Sequence, residues 1–264
     1  MIINNLTLYY GMDIPLLSAA QNERGAVVLQ DYHPLVQDGV YDLYFLNANR
    51  FIYWNCCKVP RIQCHLPQEE LIFCEYQAQY DCYILDLKRP LHRKFIIDRA
   101  LTLASYPGVQ GFFVDDLDVY SNNPLGIHAL VQLFTELDWH LSSDFRFIYN
   151  RGFSFWSRCS DRLVAIVLEN IGPLSFKRCT SLEKSWVQQR LSIHIPLLRS
   201  KRPDVTIFYL DYLNSIDPVI STDNLSKQCS TTALTDIDAE LNNMKHIICL
   251  SRNLDLWPEG FSVI

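Results

Sequence analysis

The chain has 264 residues, of which 49% are hydrophobic, and carries a formal net charge of −6. This length and hydrophobic content are sufficient for a large core. No Lys/Arg-rich run is present, which disfavours a nucleic-acid partner, and the apolar runs are too short for a membrane span. Residues 1–20 lack signal-peptide features, and the nine cysteines are odd in number. We therefore predict free thiols and a cytoplasmic protein, or an exported one if an upstream segment has been removed.

The first part of the chain contains four short extended runs, each followed by a residue that stops it. They occupy residues 6–10, 26–29, 43–46 and 83–85. Between the last two, Pro60 and Pro67 interrupt a segment with no clean apolar period, so residues 52–80 are interpreted as a long loop with short helical pieces. The run at 83–85 is the shortest of the four and follows this irregular segment. It is therefore the weakest strand candidate.

Helices and strands alternate through the rest of the chain. A helix is predicted from Pro90 to before Pro107-Gly108, and another from Pro124, with Asn122 or Asn123 as its N-cap. A third, around residues 186–191, should end or kink at Pro196, and a fourth spans residues 234–244. The intervening strands are predicted at residues 111–115, 145–149, 164–168, 205–210 and 247–250.

This alternation predicts an α/β protein with a parallel sheet. Nine extended runs are present, and demoting the one at 83–85 leaves eight. Eight strands in this length, without a Gly-rich nucleotide turn after the first, favour a (β/α)₈ TIM barrel, a single domain over residues 1–264, rather than a doubly wound sheet. No cofactor or metal is predicted. Cys56, Cys57, Cys64 and His65 cluster only loosely, without paired zinc-ligand spacing.

Polar residues follow strand after strand in this prediction. In a parallel barrel all these ends lie at one face, so the side chains are expected to converge on one pocket. Any one of them could instead cap a helix or form a turn. The predicted pocket residues are Tyr10, Asp31, Asn47, Asp86, Asp115, Asn150, Glu169, Asp211 and Tyr212.

Two carboxylates, Asp115 and Glu169, stand near the centre of this set. A pair of acids across a cleft is what glycoside hydrolysis requires, with one acid protonating the leaving oxygen and the other attacking carbon or activating water. Glu169 follows the apolar residues Ala-Ile-Val-Leu, a setting expected to raise its pKa and suit the acid role. Asp115, with Asp116 and Asp118 nearby, is assigned the ionised role. A metal-dependent hydrolase using these three aspartates is a weaker alternative.

The stretch G-F-F-V-D-D-L-D-V-Y at 111–120 resembles the central strand of the endo-α-1,4-polygalactosaminidase glycoside hydrolases, glycoside hydrolase family 114, and related exopolysaccharide hydrolase domains. Other stretches follow the family order: Y-Y-G at 9–11, V-V-L at 27–29, I-L-D-L at 84–87, F-I-Y-N-R-G at 147–152, V-L-E-N at 167–170 and F-Y-L-D-Y at 208–212. The sequence departs from the pattern before the central strand, where the family's Gly-Asp pair is reduced to Gln110-Gly111, and in the third strand. Y-F-L-N-A-N at 44–49, which corresponds to the family's third strand, has no Glu.

The resemblance implies a TIM barrel that cleaves an α-1,4-linked galactosamine or N-acetylgalactosamine polysaccharide. It assigns Asp115 as nucleophile or stabilising carboxylate and Glu169 as acid/base. Asp118, Tyr120, Asn150, Asp211 and Tyr212 would bind substrate. The departure in the third strand leaves open an alternative, a non-catalytic carbohydrate-binding barrel that has lost turnover.

Overall fold

A computed structural model describes residues 6–9, 26–29, 49–120, 123–158, 161–169, 181–214, 245–251 and 261–263. Within these ranges eight parallel strands pair in sequence order. They are β1 Leu6–Tyr9, β2 Ala26–Leu29, β3 Asn49–Asn55, β7 Gly111–Asp115, β8 Arg146–Asn150, β9 Leu163–Glu169, β10 Thr206–Asn214 and β11 Lys245–Ser251. A short strand, β12 Phe261–Val263, adds antiparallel to β11.

This arrangement confirms the predicted α/β barrel fold. The first and last parallel strands approach one another, with Cα atoms of β1 and β11 within 8 Å, although the described ladder does not pair them. Four α-helices are described: α1 Gln68–Leu71, α2 Pro90–Ala104, α3 Pro124–Asp138 and α4 Ser181–Lys201. None of the described helices is long and apolar enough to cross a bilayer.

Side chains of β3, β7, β8 and β9 alternate between two cores. Those that face the helices form the larger cluster, which includes Phe112, Phe147 and Leu168. Those that face inward form a smaller cluster within the barrel, which includes Phe113 and Val167. Because successive residues of a strand point to opposite faces, this alternation fixes which strand-end side chains enter the barrel mouth.

The third strand is where the sequence interpretation fails. Residues 43–46 lie outside the described residues, and the barrel strand between β2 and β7 is Asn49–Asn55. The prediction of a loop from residue 52 is therefore wrong. The apolar run Phe51–Trp54 has no helical period because it is a strand with both faces covered: Phe51 packs inside the barrel, and Ile52 and Trp54 pack under the helices.

A small antiparallel sheet is inserted between β3 and α2. Its strands are β4 Lys58–Pro60, β5 Glu75–Gln77 and β6 Cys82–Ile84, with β6 in the middle. The run at 83–85 therefore belongs to this insertion, which confirms that it is not a barrel strand. The five cysteines described here, from Cys56 to Cys82, are free thiols.

The helix predictions mostly hold. The Asn123 side-chain oxygen accepts hydrogen bonds from the backbone N–H groups of Leu125 and Gly126, so Asn123 is the N-cap of α3. Pro196, predicted to end or kink helix α4, does not end it, because the helix continues to Lys201. Val187, Leu191, Ile195 and Leu198 recur at helical spacing and are buried, and this packing maintains the helix across the hydrogen bond that proline removes. The predicted helix at 234–244 lies outside the described residues.

Candidate active site

Three neighbouring strands each end on a polar residue that faces into the barrel. Phe113, Ile148 and Val167 belong to the inner core, and the residue two places further along each strand shares their face. Those residues are Asp115 on β7, Asn150 on β8 and Glu169 on β9. The fourth and sixth parallel strands thus present their carboxylates at the same rim, with the amide of the fifth between them.

The side-chain amide of Asn150 joins the two acids. Its Nδ2 donates one hydrogen bond to Asp115 Oδ1 at 2.8 Å and another to Glu169 Oε2 at 2.7 Å. Because these two oxygens share one nitrogen, they lie no more than about 5.5 Å apart. This limit on one pair of oxygens is compatible with the separation of about 5–5.5 Å between the carboxyl groups of retaining glycosidases. We call Asp115, Asn150 and Glu169 the carboxylate bridge. Asn150 is buried, whereas both acids are partly exposed.

Asp115 accepts two further hydrogen bonds. The hydroxyl of Tyr53 on β3 donates to Oδ2 at 2.5 Å, and the backbone N–H of Asp116 donates to Oδ1 at 2.8 Å. All the hydrogen-bond donors described around this carboxylate are neutral. They orient the group and stabilise its negative charge without placing a cation against it.

The chain turns sharply directly after β7 and β8. Asp116 has φ 62° and Arg151 has φ 53°, left-handed conformations that are uncommon for residues with a side chain. Gly152 follows with φ 78°, and a Cβ there would lie 2.7 Å from Leu117. The Arg151 guanidinium donates to the backbone carbonyl of Glu169 at 3.0 and 3.1 Å, so this turn also fixes the end of β9.

Asp116 is held differently from Asp115. Its Oδ1 lies 2.7 Å from Lys58 Nζ, and its Oδ2 accepts a hydrogen bond from the Asn55 amide. Burial and the nearby charge of Asp115 raise the pKa of Asp116, although Lys58 and Asn55 oppose the shift. Burial alone would lower the pKa of Lys58, but the hydrogen bond and charge of Asp116 outweigh it and the pKa is raised. We call Lys58 and Asp116 the lysine pair.

These contacts bear on the metal hypothesis. Among the described residues, no three His, Cys, Asp or Glu side chains are placed to hold a metal ion. Asp116 uses its carboxylate for the lysine pair. Asp118 turns toward a different loop, where its Oδ1 accepts from the Gly152 N–H at 3.2 Å. The three aspartates therefore do not converge within the described residues. Asp116 lies beyond the end of β7, so the alternation of side chains along the strand does not determine where it points.

Asp118 and Tyr120 have structural roles here. Burial raises the pKa of Asp118, against the lowering effect of Arg151, and its carboxylate secures the turn behind Asn150. Tyr120 is buried, donates its hydroxyl to the Leu85 carbonyl at 2.6 Å and packs against Gly126 of α3. These positions do not support the substrate contacts assigned to the two residues from the family resemblance.

Asp86 lies outside the barrel rim because β6 belongs to the insertion. Its Oδ1 accepts the Lys88 N–H, and its own N–H donates to His92 Nδ1, so it shapes the turn that precedes α2. The structure does not describe the side chains of the remaining predicted pocket residues. Asp211 and Tyr212 lie on β10, with their side chains outside the description, and Tyr10, Asp31 and Asn47 lie outside the described residues.

Sequence reasoning missed Tyr53, Asn55 and Lys58, which all depend on the third strand. The signal was present in Asn49–Asn55, where β-forming aromatic and branched residues lead to an asparagine. Once this segment is recognised as a strand, Tyr53 and Asn55 share the inward face of Phe51. The register then sets Asn55 beside Asp115.

The comparisons with known proteins agree with this fold. No family model matches the chain, and no curated protein matches it in sequence. The structure is similar to the glycoside hydrolase domain of PelA from Pseudomonas aeruginosa, with 19% identity, 94% of each chain covered and a TM-score of 0.66. A variant of the same domain gives 18% identity, 96% and 97% coverage and a TM-score of 0.69.

A solved structure of a different protein is also similar, with a lower TM-score. The α-galactosidase TtGalA from Thermus thermophilus, bound to p-nitrophenyl α-D-galactopyranoside, is 11% identical over 93% of this chain and 58% of its own, with a TM-score of 0.56. At these identities the likeness concerns the fold. The resemblance read from the motifs is confirmed at that level.

Proposed function

We propose that this protein is a retaining glycoside hydrolase that cleaves an α-1,4-linked galactosamine or N-acetylgalactosamine polysaccharide. The observation that carries the proposal is the carboxylate bridge, in which one amide nitrogen contacts both acids and keeps them close enough to act on one bond. The substrate class comes from the motif resemblance. The similarity to glycoside hydrolase domains of known structure supports the reaction class.

Asp115 is the nucleophile in this proposal. Its neutral hydrogen-bond donors orient the carboxylate while leaving its charge available to the developing oxocarbenium ion. Attack on the anomeric carbon forms a glycosyl ester with Asp115 and breaks the bond to the leaving oxygen. Water then attacks the same carbon and releases the Asp115 carboxylate.

Glu169 is the acid and base. It gives its proton to the leaving oxygen in the first step and accepts a proton from water in the second, so it returns to its starting state. Asn150 positions both acids through one amide. Among the described residues its side-chain oxygen is buried without a hydrogen-bond partner.

The alternative, a barrel that binds sugar without cleaving it, drew on the departure in the supposed third strand. The third strand of the structure is instead Asn49–Asn55, and it also ends without a Glu, so the departure applies to this segment too. The carboxylate bridge is complete, which favours turnover over simple binding.

The test is release of reducing ends from purified α-1,4-galactosamine and α-1,4-N-acetylgalactosamine polymers. We expect activity in the wild type and a loss of about 10³-fold in Asp115→Asn and in Glu169→Gln. Asp98→Asn is the matched control, since Asp98 is an exposed carboxylate on α2 paired with Lys94. Full activity in either test variant would remove that residue from the mechanism, and an inactive wild type that binds the polymers would support the binding alternative.

A further inference from the structure

The inserted sheet stands at the mouth of the barrel. It begins directly after β3, at the strand end where Asn55 pairs with Asp115. In TIM barrels this end carries the loops that shape the substrate site. The insertion is therefore placed to extend that site, and its exposed side chains are candidates for contact with a long substrate.

Lys58 connects the insertion to the acids. On one side its Nζ lies 2.7 Å from Asp116, the neighbour of Asp115 in the chain. On the other side the same Nζ lies 5.6 Å from the centre of the Tyr80 ring, within the range of a cation–π contact. Tyr80 is 58% exposed. Tyr80 is therefore an exposed aromatic residue that a single lysine side chain, Lys58, links to the residue after Asp115.

Hydrogen bonds and an ion pair hold the backbone next to Tyr80 in place. The ring belongs to a 3₁₀ turn, Ala78–Tyr80, and Asp81 follows it in a left-handed conformation with φ 44°. Asp81 receives the Tyr76 hydroxyl at 2.6 Å and the Arg61 guanidinium at 3.1 Å, and its carbonyl accepts the Arg61 N–H at 2.8 Å. Ordering Tyr80 on binding therefore requires little loss of conformational entropy.

We propose that Tyr80 is a sugar-binding platform, a subsite that stacks against the apolar C–H face of a pyranose unit beyond the bond being cleaved. The occupant is a further residue of the same polysaccharide, because Lys58 links the ring to Asp116, which is next to Asp115 in the chain. This proposal rests on the proposed function. Lys58 holds the ring from one side through the cation–π contact, and the open surface of the ring contacts the sugar.

Exposure alone would not single out Tyr80. Trp139 is 79% exposed but follows α3 at its C-terminal end. Since α3 starts after β7 and returns the chain to the start of β8, Trp139 lies at the opposite end of the barrel from Asp115. It serves as the matched control, an exposed aromatic residue without a route to the acids.

The experiment compares Tyr80→Ala, Tyr80→Phe and Trp139→Ala. KM and kcat are measured on α-1,4-galactosamine hexasaccharide and its N-acetylated counterpart, and Kd is measured for the same sugars in the Glu169→Gln background. We expect Tyr80→Ala to raise KM and Kd roughly fivefold, with a smaller change in kcat, because stacking serves ground state and transition state alike. Tyr80→Phe should restore most of the affinity, and Trp139→Ala should match the wild type.

Each failure has a distinct meaning. Unchanged KM and Kd in Tyr80→Ala, with the wild type active, would overturn the subsite and leave the proposed function standing. An equal loss in Tyr80→Phe would assign the effect to the hydroxyl and also overturn stacking. An equal loss in Trp139→Ala would show that the effect is not specific to the mouth. A wild type that neither cleaves nor binds either sugar would overturn the proposed function and the subsite together.

Discussion

Two adjacent aspartates at the end of β7 are held in opposite ways. Asp115 belongs to the carboxylate bridge, where amide, phenol and backbone N–H groups donate to it. Asp116 belongs to the lysine pair, where an ammonium group contacts it directly at 2.7 Å. Neutral donors orient a carboxylate and leave its charge available for chemistry, whereas a close cation compensates that charge. This difference is the basis on which the proposed function assigns the first acid to the reaction and the second to anchoring the insertion.

The largest effect within this comparison is expected from the centre of the carboxylate bridge. Asn150→Ala removes the donor shared by Asp115 and Glu169, so each acid loses one orienting hydrogen bond, and kcat should fall about 10²-fold. The measurement is steady-state kinetics beside a thermal unfolding curve. A folded Asn150→Ala variant with wild-type kcat would show that the bridge has no part in catalysis.

A smaller effect, on stability rather than turnover, is expected from the lysine pair. Lys58→Met leaves the largely buried Asp116 carboxylate without its cation and should lower the free energy of unfolding by about 2 kcal/mol. The double variant Lys58→Met with Asp116→Asn removes both charges and should recover most of this loss. Urea unfolding measures all three proteins. A double variant less stable than Lys58→Met alone would contradict the assigned anchor.

The smallest effect is a pH dependence with an unusual sign for an aspartate. Burial and the Asp115 charge raise the pKa of Asp116 above its ordinary value of 3.8, so the folded state binds this proton more tightly than the unfolded state does. The stability of the wild type relative to Asp116→Asn should therefore rise as the pH falls through the raised pKa toward 3.8. Unfolding free energies of both proteins across this window test the sign, and a relative stability that falls instead would contradict it.

Several features of the fold and the candidate site could be predicted from the sequence alone. Strands β7 to β9 lie within one residue of their predicted positions, because each is a continuous apolar run that stops on a polar residue. The N-cap of α3 was predicted as Asn122 or Asn123 because Pro124 favours the first helical position, and the structure selects Asn123. Asp115, Asn150 and Glu169 were predicted to converge because parallel strand ends share a face.

The remainder depended on tertiary context. Asn49–Asn55 is buried on both faces and followed by Pro60, so its pattern did not separate it from the irregular insertion. Asp116 and Arg151 adopt left-handed backbone conformations, which the sequence does not indicate because neither residue is a glycine. Tyr120 sits beside the acids in sequence but packs under α3, which no local pattern distinguishes from a rim position.

The central claim is that Asp115 and Glu169 act as nucleophile and acid/base on one glycosidic bond. Azide rescue of Asp115→Gly and Glu169→Gly, with an activated aryl α-galactosaminide as substrate and NMR of the product, tests both roles together. We predict a β-glycosyl azide from Asp115→Gly, where azide replaces the nucleophile, and an α-glycosyl azide from Glu169→Gly, where azide attacks the ester at Asp115. Rescue in neither variant, or the reverse pair of anomers, would contradict the account.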